Sequence, residues 1–279
     1  MYSLKTILAA TDLTRRSAAV LPRAAQLARA HDARLVVAHA VESRTGAVKR
    51  IRIAVGRDPL AKAEAELARF KASCPDLDVI THVALGKPAS LIERLAAEYR
   101  PDLIVLGLHL PRRVLETLRL TNLERITQSV PCPILIAQSR PATPYRKVLG
   151  AITFGPASAK ALRVAAHLAP DADMHAIHAL QLPLAAKLPN AEMMLSPEMT
   201  EAELLRKAFL DFQLLPDRLG TPEIVPGGVH EVLDFRIAEL KPDLVVIGSH
   251  SGRSATKLGN YARDLMRAPP TDMLIAKPE

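Results

Sequence analysis

Tryptophan is absent from this chain of 279 residues, and only five phenylalanines and four tyrosines supply aromatic rings. With no basic stretch interleaved among so few rings, the sequence lacks the stacking platform on which single-stranded nucleic acids are held. Two cysteines, Cys74 and Cys132, are too few for a disulfide framework or a four-ligand zinc site, so reduced thiols are expected. No run approaches the roughly 18 consecutive apolar residues of a membrane span. Met1 to Lys5 pass straight into a strand-like segment without a signal-peptide pattern, and a cytoplasmic protein with no membrane partner is expected.

What the chain does have is apolar content, 49% of its residues, over a length that suits two ordinary domains. Its net charge of +8 is unevenly spread. Residues 1–140 hold 22 Lys and Arg against 13 Asp and Glu, whereas residues 141–279 hold 15 against 16. The basic first half admits a nucleic-acid or acidic partner, but without the missing aromatics a solvated basic face accounts for it better.

Internal repetition is the most informative feature. RPDLIVLGLH (Arg100 to His109) returns as KPDLVVIGSH (Lys241 to His250), displaced by 141 positions. At the same displacement TILAATD (Thr6 to Asp12) faces KVLGAIT (Lys147 to Thr153), and GKPASLI (Gly86 to Ile92) faces GGVHEVL (Gly227 to Leu233). Farther on the displacement falls to 139, where Pro131 meets Pro270, so the second copy has the shorter final loop. Each copy alternates apolar runs with Ala- and Leu-rich helical segments, and its buried strands LIVLG and LVVIG follow Pro-Asp and end in Gly. Such strands belong to parallel sheets covered by helices on both faces. In the first copy the pattern predicts strands at Thr6–Ala10, Arg34–Ala40, Asp78–Val83, Leu103–Gly107 and Ile134–Ala137, with helices at Ser17–Ala30, Pro59–Lys71, Pro88–Tyr99 and Asn122–Ser129. Domains are expected at 1–140 and 145–279, joined by SRPATPYRK (Ser139 to Lys147). In the second copy Ser196-Pro197 reads as a helix cap, leaving 181–195 as an inserted loop whose Met193 and Met194, with Met199 beyond it, suit ordinary packing.

On these landmarks the sequence resembles the universal stress protein family in its tandem form. The resemblance implies an α/β fold of two doubly wound, five-stranded parallel sandwiches, Rossmann-like and similar to the adenine nucleotide alpha hydrolases, paired as a pseudo-dimer. It also implies ATP or AMP, with Mg, across the carboxyl edge of the sheet where strand order reverses. In that family the first strand ends in Asp, G-x-P follows the third strand, and ATP-binding members carry G-x2-G-x9-G-[ST] after the fourth.

The two copies keep different parts of this pattern. The first has Asp12, Thr14, Ser17 and Gly86-Lys87-Pro88, but Leu110 and Leu120 stand where backbone must approach phosphate, so its nucleotide site is expected to be lost. The second keeps Gly248, Gly252 and Gly259-Asn260, in the form G-x3-G-x6-G-N that resembles tandem members, with Asn260 expected to cap a helix beginning at Tyr261. Thr153 replaces the Asp, and Val229 stands in place of the proline. The site carried over is therefore Thr153, Gly227, Gly248, His250, Gly252, Arg253, Gly259 and Asn260, with Arg253 and Lys257 as charge partners for a phosphate.

Other chemistry finds little support. GSHSG mimics the G-x-S-x-G nucleophile elbow with His250 at the centre, so the nucleophile is missing and Ser249 and Ser251 only flank it. His175 and His178 on a strand point to opposite faces and do not make a metal site. Cys132 precedes a strand and is expected to be buried, and Asp12 at a strand end is more often a turn cap than a ligand. The reading is a stress-response regulatory or protective module with no identifiable catalytic base; slow ATP hydrolysis is the most it would do. The alternatives are a nucleotide-independent protein-interaction scaffold and nucleic-acid binding by the basic first domain, with homo-oligomer formation open.

Overall fold

The computed structural model describes residues 3–42, 58–108, 122–139, 142–181, 196–249 and 260–278. They divide into two compact units, 3–143 and 144–279. The first unit runs β1 (Thr6–Ala10), a 3-10 turn (Arg15–Ser17), α1 (Val20–His31), β2 (Arg34–Val41), α2 (Pro59–Ala72), β3 (Val79–Leu85), α3 (Pro88–Tyr99), β4 (Leu103–Leu106), α4 (Asn122–Ser129) and β5 (Ile134–Ile136). The second repeats it: β6 (Lys147–Ala151), α5 (Pro156–Leu168), β7 (Asp173–Leu180), α6 (Pro197–Phe212), β8 (Glu223–Pro226), α7 (Val229–Leu240), β9 (Leu244–Gly248), α8 (Asn260–Arg267) and β10 (Asp272–Ala276).

Within the first unit the strand order is β3-β2-β1-β4-β5, and within the second β8-β7-β6-β9-β10. Each neighbouring pair inside a unit is parallel, with Ile7 opposite Leu103 and Val148 opposite Leu244 at the two central pairs. The central strands are apolar on both faces because helices cover both. Ile7, Leu8, Ala9, Leu103, Ile104 and Val105 are fully buried, as are Val148, Leu149, Leu244 and Val245.

The repeated Pro-Asp has a structural reading that the sequence alone did not supply. Arg100 and Lys241 end α3 and α7 in the left-handed conformation (φ 46° and 49°), their N–H groups donating to Ala96 O and Ile237 O. Proline then forbids further helix. The aspartate that follows folds back on the first strand of its unit: Asp102 Oδ2 accepts from Lys5 N (2.8 Å) and Thr6 N (2.9 Å). Asp243 accepts from Arg146 N through Oδ2 (2.8 Å) and from Lys147 N through Oδ1 (3.0 Å). A carboxylate thus satisfies two strand-end donors at once and fixes the register of β4 on β1 and of β9 on β6.

Three expectations shift. The helix expected from Ser17 starts at Val20, because Arg15–Ser17 form a 3-10 turn capped by the Thr14 side chain. The expected linker is only partly a linker: β6 begins at Lys147, and Tyr145 is buried with its hydroxyl donating to Asp272 Oδ2 at 2.7 Å. Cys132 is half-buried, whereas Cys74 is buried. Ser196 does cap α6, accepting from Met199 N at 3.2 Å with Pro197 as the first helical residue. No helix among the described residues is long and apolar enough to cross a membrane.

Candidate functional site

In each unit the strand order reverses beside the first strand, so β1 and β4, and likewise β6 and β9, leave their carboxyl ends side by side with crossovers departing in opposite directions. That edge is the place for a ligand. In the first unit it is occupied by the protein's own hydrogen bonds. Asp12 Oδ1 accepts from Thr14 N (2.9 Å), Thr14 Oγ1 (2.7 Å) and Ser17 Oγ (2.5 Å). Thr11 Oγ1 lies 2.8 Å from Ser17 Oγ and accepts from Leu13 N at 3.0 Å. Leu13 sits at φ 55°, a tight left-handed turn that this network holds. Asp12 is accordingly a turn cap.

The second unit has the same turn without the acid. Phe154 takes the position and conformation of Leu13 (φ 55°), packing on His178 (centroids 4.6 Å apart) and Phe209 (5.7 Å). Thr153 N donates to Ser158 Oγ (3.1 Å), and the two hydroxyls are 3.4 Å apart. Ser158 thus stands 141 positions after Ser17 and holds the same turn from the same helix end, although aspartate has become threonine.

Glycine at the edge has an identifiable cause. A Cβ on Gly248 would lie 2.9 Å from Ser158 N and 3.0 Å from both Ala157 C and Ala157 Cβ, so the end of β9 packs directly on the first turn of α5. Gly107 holds the same place in the first unit, 3.0 Å from the Ser17 Cα and Cβ. Gly227 turns the chain between β8 and α7 at φ 148°, its N–H donating to Leu180 O at 2.9 Å, as Gly86 does at φ 141° toward Val41 O at 3.0 Å. Both positions require glycine on backbone grounds.

The structure therefore brings Thr153 and Gly248 together at the switch point, on neighbouring strands whose last paired residues are Ala151 and Ile247. Gly227 leaves β8, which β7 and β6 separate from β9, about 14 Å away at the usual strand spacing. It cannot meet the same phosphate as Gly248; only a ligand laid along the edge would reach both. The helix expected after Asn260 begins at Asn260 itself, one residue earlier than the capping assignment requires. His250, Gly252, Arg253, Lys257 and Gly259, with Leu110 and Leu120 of the first copy, lie outside the described residues, as do Met193, Met194 and Ser251.

The correspondence of His39 with His178 escaped the sequence reading, which weighed His178 only as a metal ligand. His39 Nδ1 lies 2.8 Å from Thr11 O and His178 Nδ1 lies 2.9 Å from Ile152 O; a carbonyl only accepts, so Nδ1 carries the proton in both. Each ring pins the end of its unit's first strand from the second strand. The signal was present as His-Ala at positions 39–40 and 178–179, 139 residues apart. Ser249 is fully buried, its N–H donating to Ala276 O at 2.8 Å, which removes it as an accessible nucleophile. No cluster of three or more potential metal ligands occurs among the described residues.

A doubly wound parallel α/β unit with its open edge at a strand-order switch, present twice, defines a Rossmann-like class of architecture. The model of the universal stress protein family matches residues 3–138 and again 144–277, and the chain belongs to that family as a two-domain member. Among solved structures it is similar to a putative universal stress protein from Pseudomonas aeruginosa (20% identity, TM-score 0.68, covering 99% of this chain and 94% of that one). It is also similar to a universal stress protein from Archaeoglobus fulgidus (16% identity, TM-score 0.69, 99% and 97%). At these identities the likeness shows the fold. A family protein from Arabidopsis thaliana, solved with AMP bound, matches 50% of this chain at 19% identity and a TM-score of 0.34; the AMP is that protein's ligand. No curated protein sequence matches.

Proposed function

We propose that this two-domain universal stress protein is a stress-response regulatory or protective module that takes ATP or AMP at the carboxyl edge of its second unit and none at the first. The observation that carries the reading is the contrast between the two switch points. In the first unit Oδ1 of the acidic group accepts three hydrogen bonds within its own turn. In the second the neutral Thr153 stands at that place, and the sequence that follows β9 carries Gly252, Arg253, Gly259 and Asn260. In this reading Gly252 and Gly259 let backbone N–H groups approach the phosphates, while Arg253 and Lys257 supply positive charge. Thr153 offers its hydroxyl beside them, His250 lines the approach, and Gly248 and Gly227 shape the edge without contacting the phosphate. Mg would accompany ATP on its phosphate oxygens. The family, the glycine spacing and the open switch point support this assignment, and with no general base named the module regulates by occupancy and not by turnover.

Mass spectrometry of ligands released from the purified protein, with a thermal-shift titration of ATP and AMP, tests it. Adenine nucleotide in the released fraction and a rise in Tm are expected, removed by Gly252→Leu or Gly259→Leu and unaffected by substitution of Leu110 or Leu120. Neither ligand nor shift at millimolar ATP would leave the nucleotide-independent scaffold as the reading.

A further inference from the structure

Helix α6 has a second apolar flank that its own domain does not use. Met199, Ala202 and Phe209 are buried. At 100° per residue Leu204, Leu205, Ala208 and Phe212 fall together on the neighbouring, outward third of the helix, with the exposed Glu201 at its N-terminal end. Leu204 is 63% exposed, Leu205 47%, Phe212 82%, and Leu214 just beyond the helix 79%. The helix in the same place of the first unit, α2, offers no such stripe: its exposed positions carry Lys62, Glu64, Arg69 and Lys71 among alanines. The stripe is thus a property of this helix and not of the fold.

We propose that this flank is the seam of a homodimer in which α6 packs antiparallel on α6 of a second copy about a two-fold axis. Area and charge both argue for a copy of the same chain. The exposed apolar side chains of the stripe amount to on the order of 500 Å² per protomer, at the upper end of what a monomer leaves in one patch. Doubled by a two-fold and completed by a polar rim, that reaches the lower range of stable interfaces. Lys207 and Asp211, one turn apart and both exposed, line one edge of the stripe. Antiparallel pairing sets Lys207 against Asp211 of the partner subunit and Asp211 against Lys207 of the partner subunit. The register is the one that places Leu205 against Phe212 of the partner subunit. One patch that is complementary to itself is the requirement of an isologous interface.

Sedimentation equilibrium of the full chain from 1 to about 100 μM tests the seam. A species of twice the chain mass is expected, with Leu204→Glu plus Phe212→Glu weakening association at least about 100-fold while the circular dichroism spectrum keeps its wild-type shape, since both side chains are exposed. Lys207→Asp and Asp211→Lys should each weaken the dimer about 10-fold, and the double reversal should restore it. A wild-type monomer throughout would overturn the proposal. So would a dimer indifferent to the stripe variant, or a monomer whose α6 amides gain exchange protection only while residues 182–195 are present, which would assign the stripe to the chain's own segment.

Discussion

Gly248→Ala separates two reasons for finding glycine at the end of a strand in this fold. The added Cβ would sit 2.9 Å from Ser158 N and 3.0 Å from Ala157 C, both backbone atoms of the first turn of α5, which no rotamer change can move aside. Forcing that turn away from β9 is an overpacking defect of about 1–3 kcal/mol. Alanine also narrows the unfolded ensemble, which offsets roughly 0.4–1 kcal/mol. The net expectation is about 1–2 kcal/mol lost, a drop in the second unit's Tm of about 3–7 °C for a domain of this size. Gly220→Ala is the control, because no atom lies within 4 Å of its added Cβ and its φ is ordinary, so stability should hold or rise slightly. Differential scanning calorimetry of the full chain, with hydrogen exchange over 153–160, reads both the cost and its place. If Gly248 is a packing residue, the variant loses stability without ligand yet keeps the ATP-induced increment. A variant as stable as wild type that no longer responds to ATP would refute the packing argument and return Gly248 to the phosphate contact.

The two aspartate latches should respond differently to the same substitution. Asp102→Asn keeps one oxygen where Oδ2 now accepts both N–H groups, whereas Asp243→Asn must turn an amide NH₂ toward either Arg146 N or Lys147 N. Exchange at the start of β6 in Asp243→Asn should therefore accelerate more than at the start of β1 in Asp102→Asn, by about 1 kcal/mol in protection; equal acceleration would contradict the geometry. Burial lowers the pKa of His167 in α5 below its ordinary 6.5. The neutral ring is the favoured form in the folded state, so its contribution is fully present above pH 6.5 and declines as pH falls through the lowered folded value. Denaturation midpoints of wild type and His167→Gln should thus differ more at pH 7.5 than at pH 5, and parallel profiles would refute the assignment.

The element order was legible because the apolar periods were strong and said twice. Strand starts at Thr6, Arg34, Leu103 and Ile134 and the helices Pro88–Tyr99 and Asn122–Ser129 follow the pattern residue for residue. What sequence could not supply was the cause of each repeated residue. Gly107 and Gly248 looked like the opening of a phosphate loop, yet contact across the sheet with Ser17 and Ser158, some 90 residues earlier in the chain, already requires them. The reading of Pro-Asp as a strand leader was right in place but missed the long-range bonds to Lys5, Thr6, Arg146 and Lys147. Helix starts erred where a side chain captured the turn first, as Thr14 does before α1. Local propensity cannot foresee partners that only the parallel topology brings together.

That distinction changes what the loss of Asp12's counterpart means. Were Asp12 a ligand group, Thr153 would mark a damaged site. Instead Asp12 organises a turn, through Thr14 and Ser17, around a left-handed Leu13. The second unit holds the same left-handed position with different materials: Ser158 Oγ takes the Thr153 N–H, and Phe154 gains ring contacts with His178 and Phe209 in place of charge-assisted bonds. Apolar packing has replaced an acidic network at the same left-handed backbone position, and with it one negative charge has left the switch point beside Gly248. For an anionic ligand that substitution lowers an electrostatic barrier and leaves the strand end as firmly fixed as before. At their switch points the two domains thus differ by one carboxylate, Asp12 in the first and the neutral Thr153 in the second.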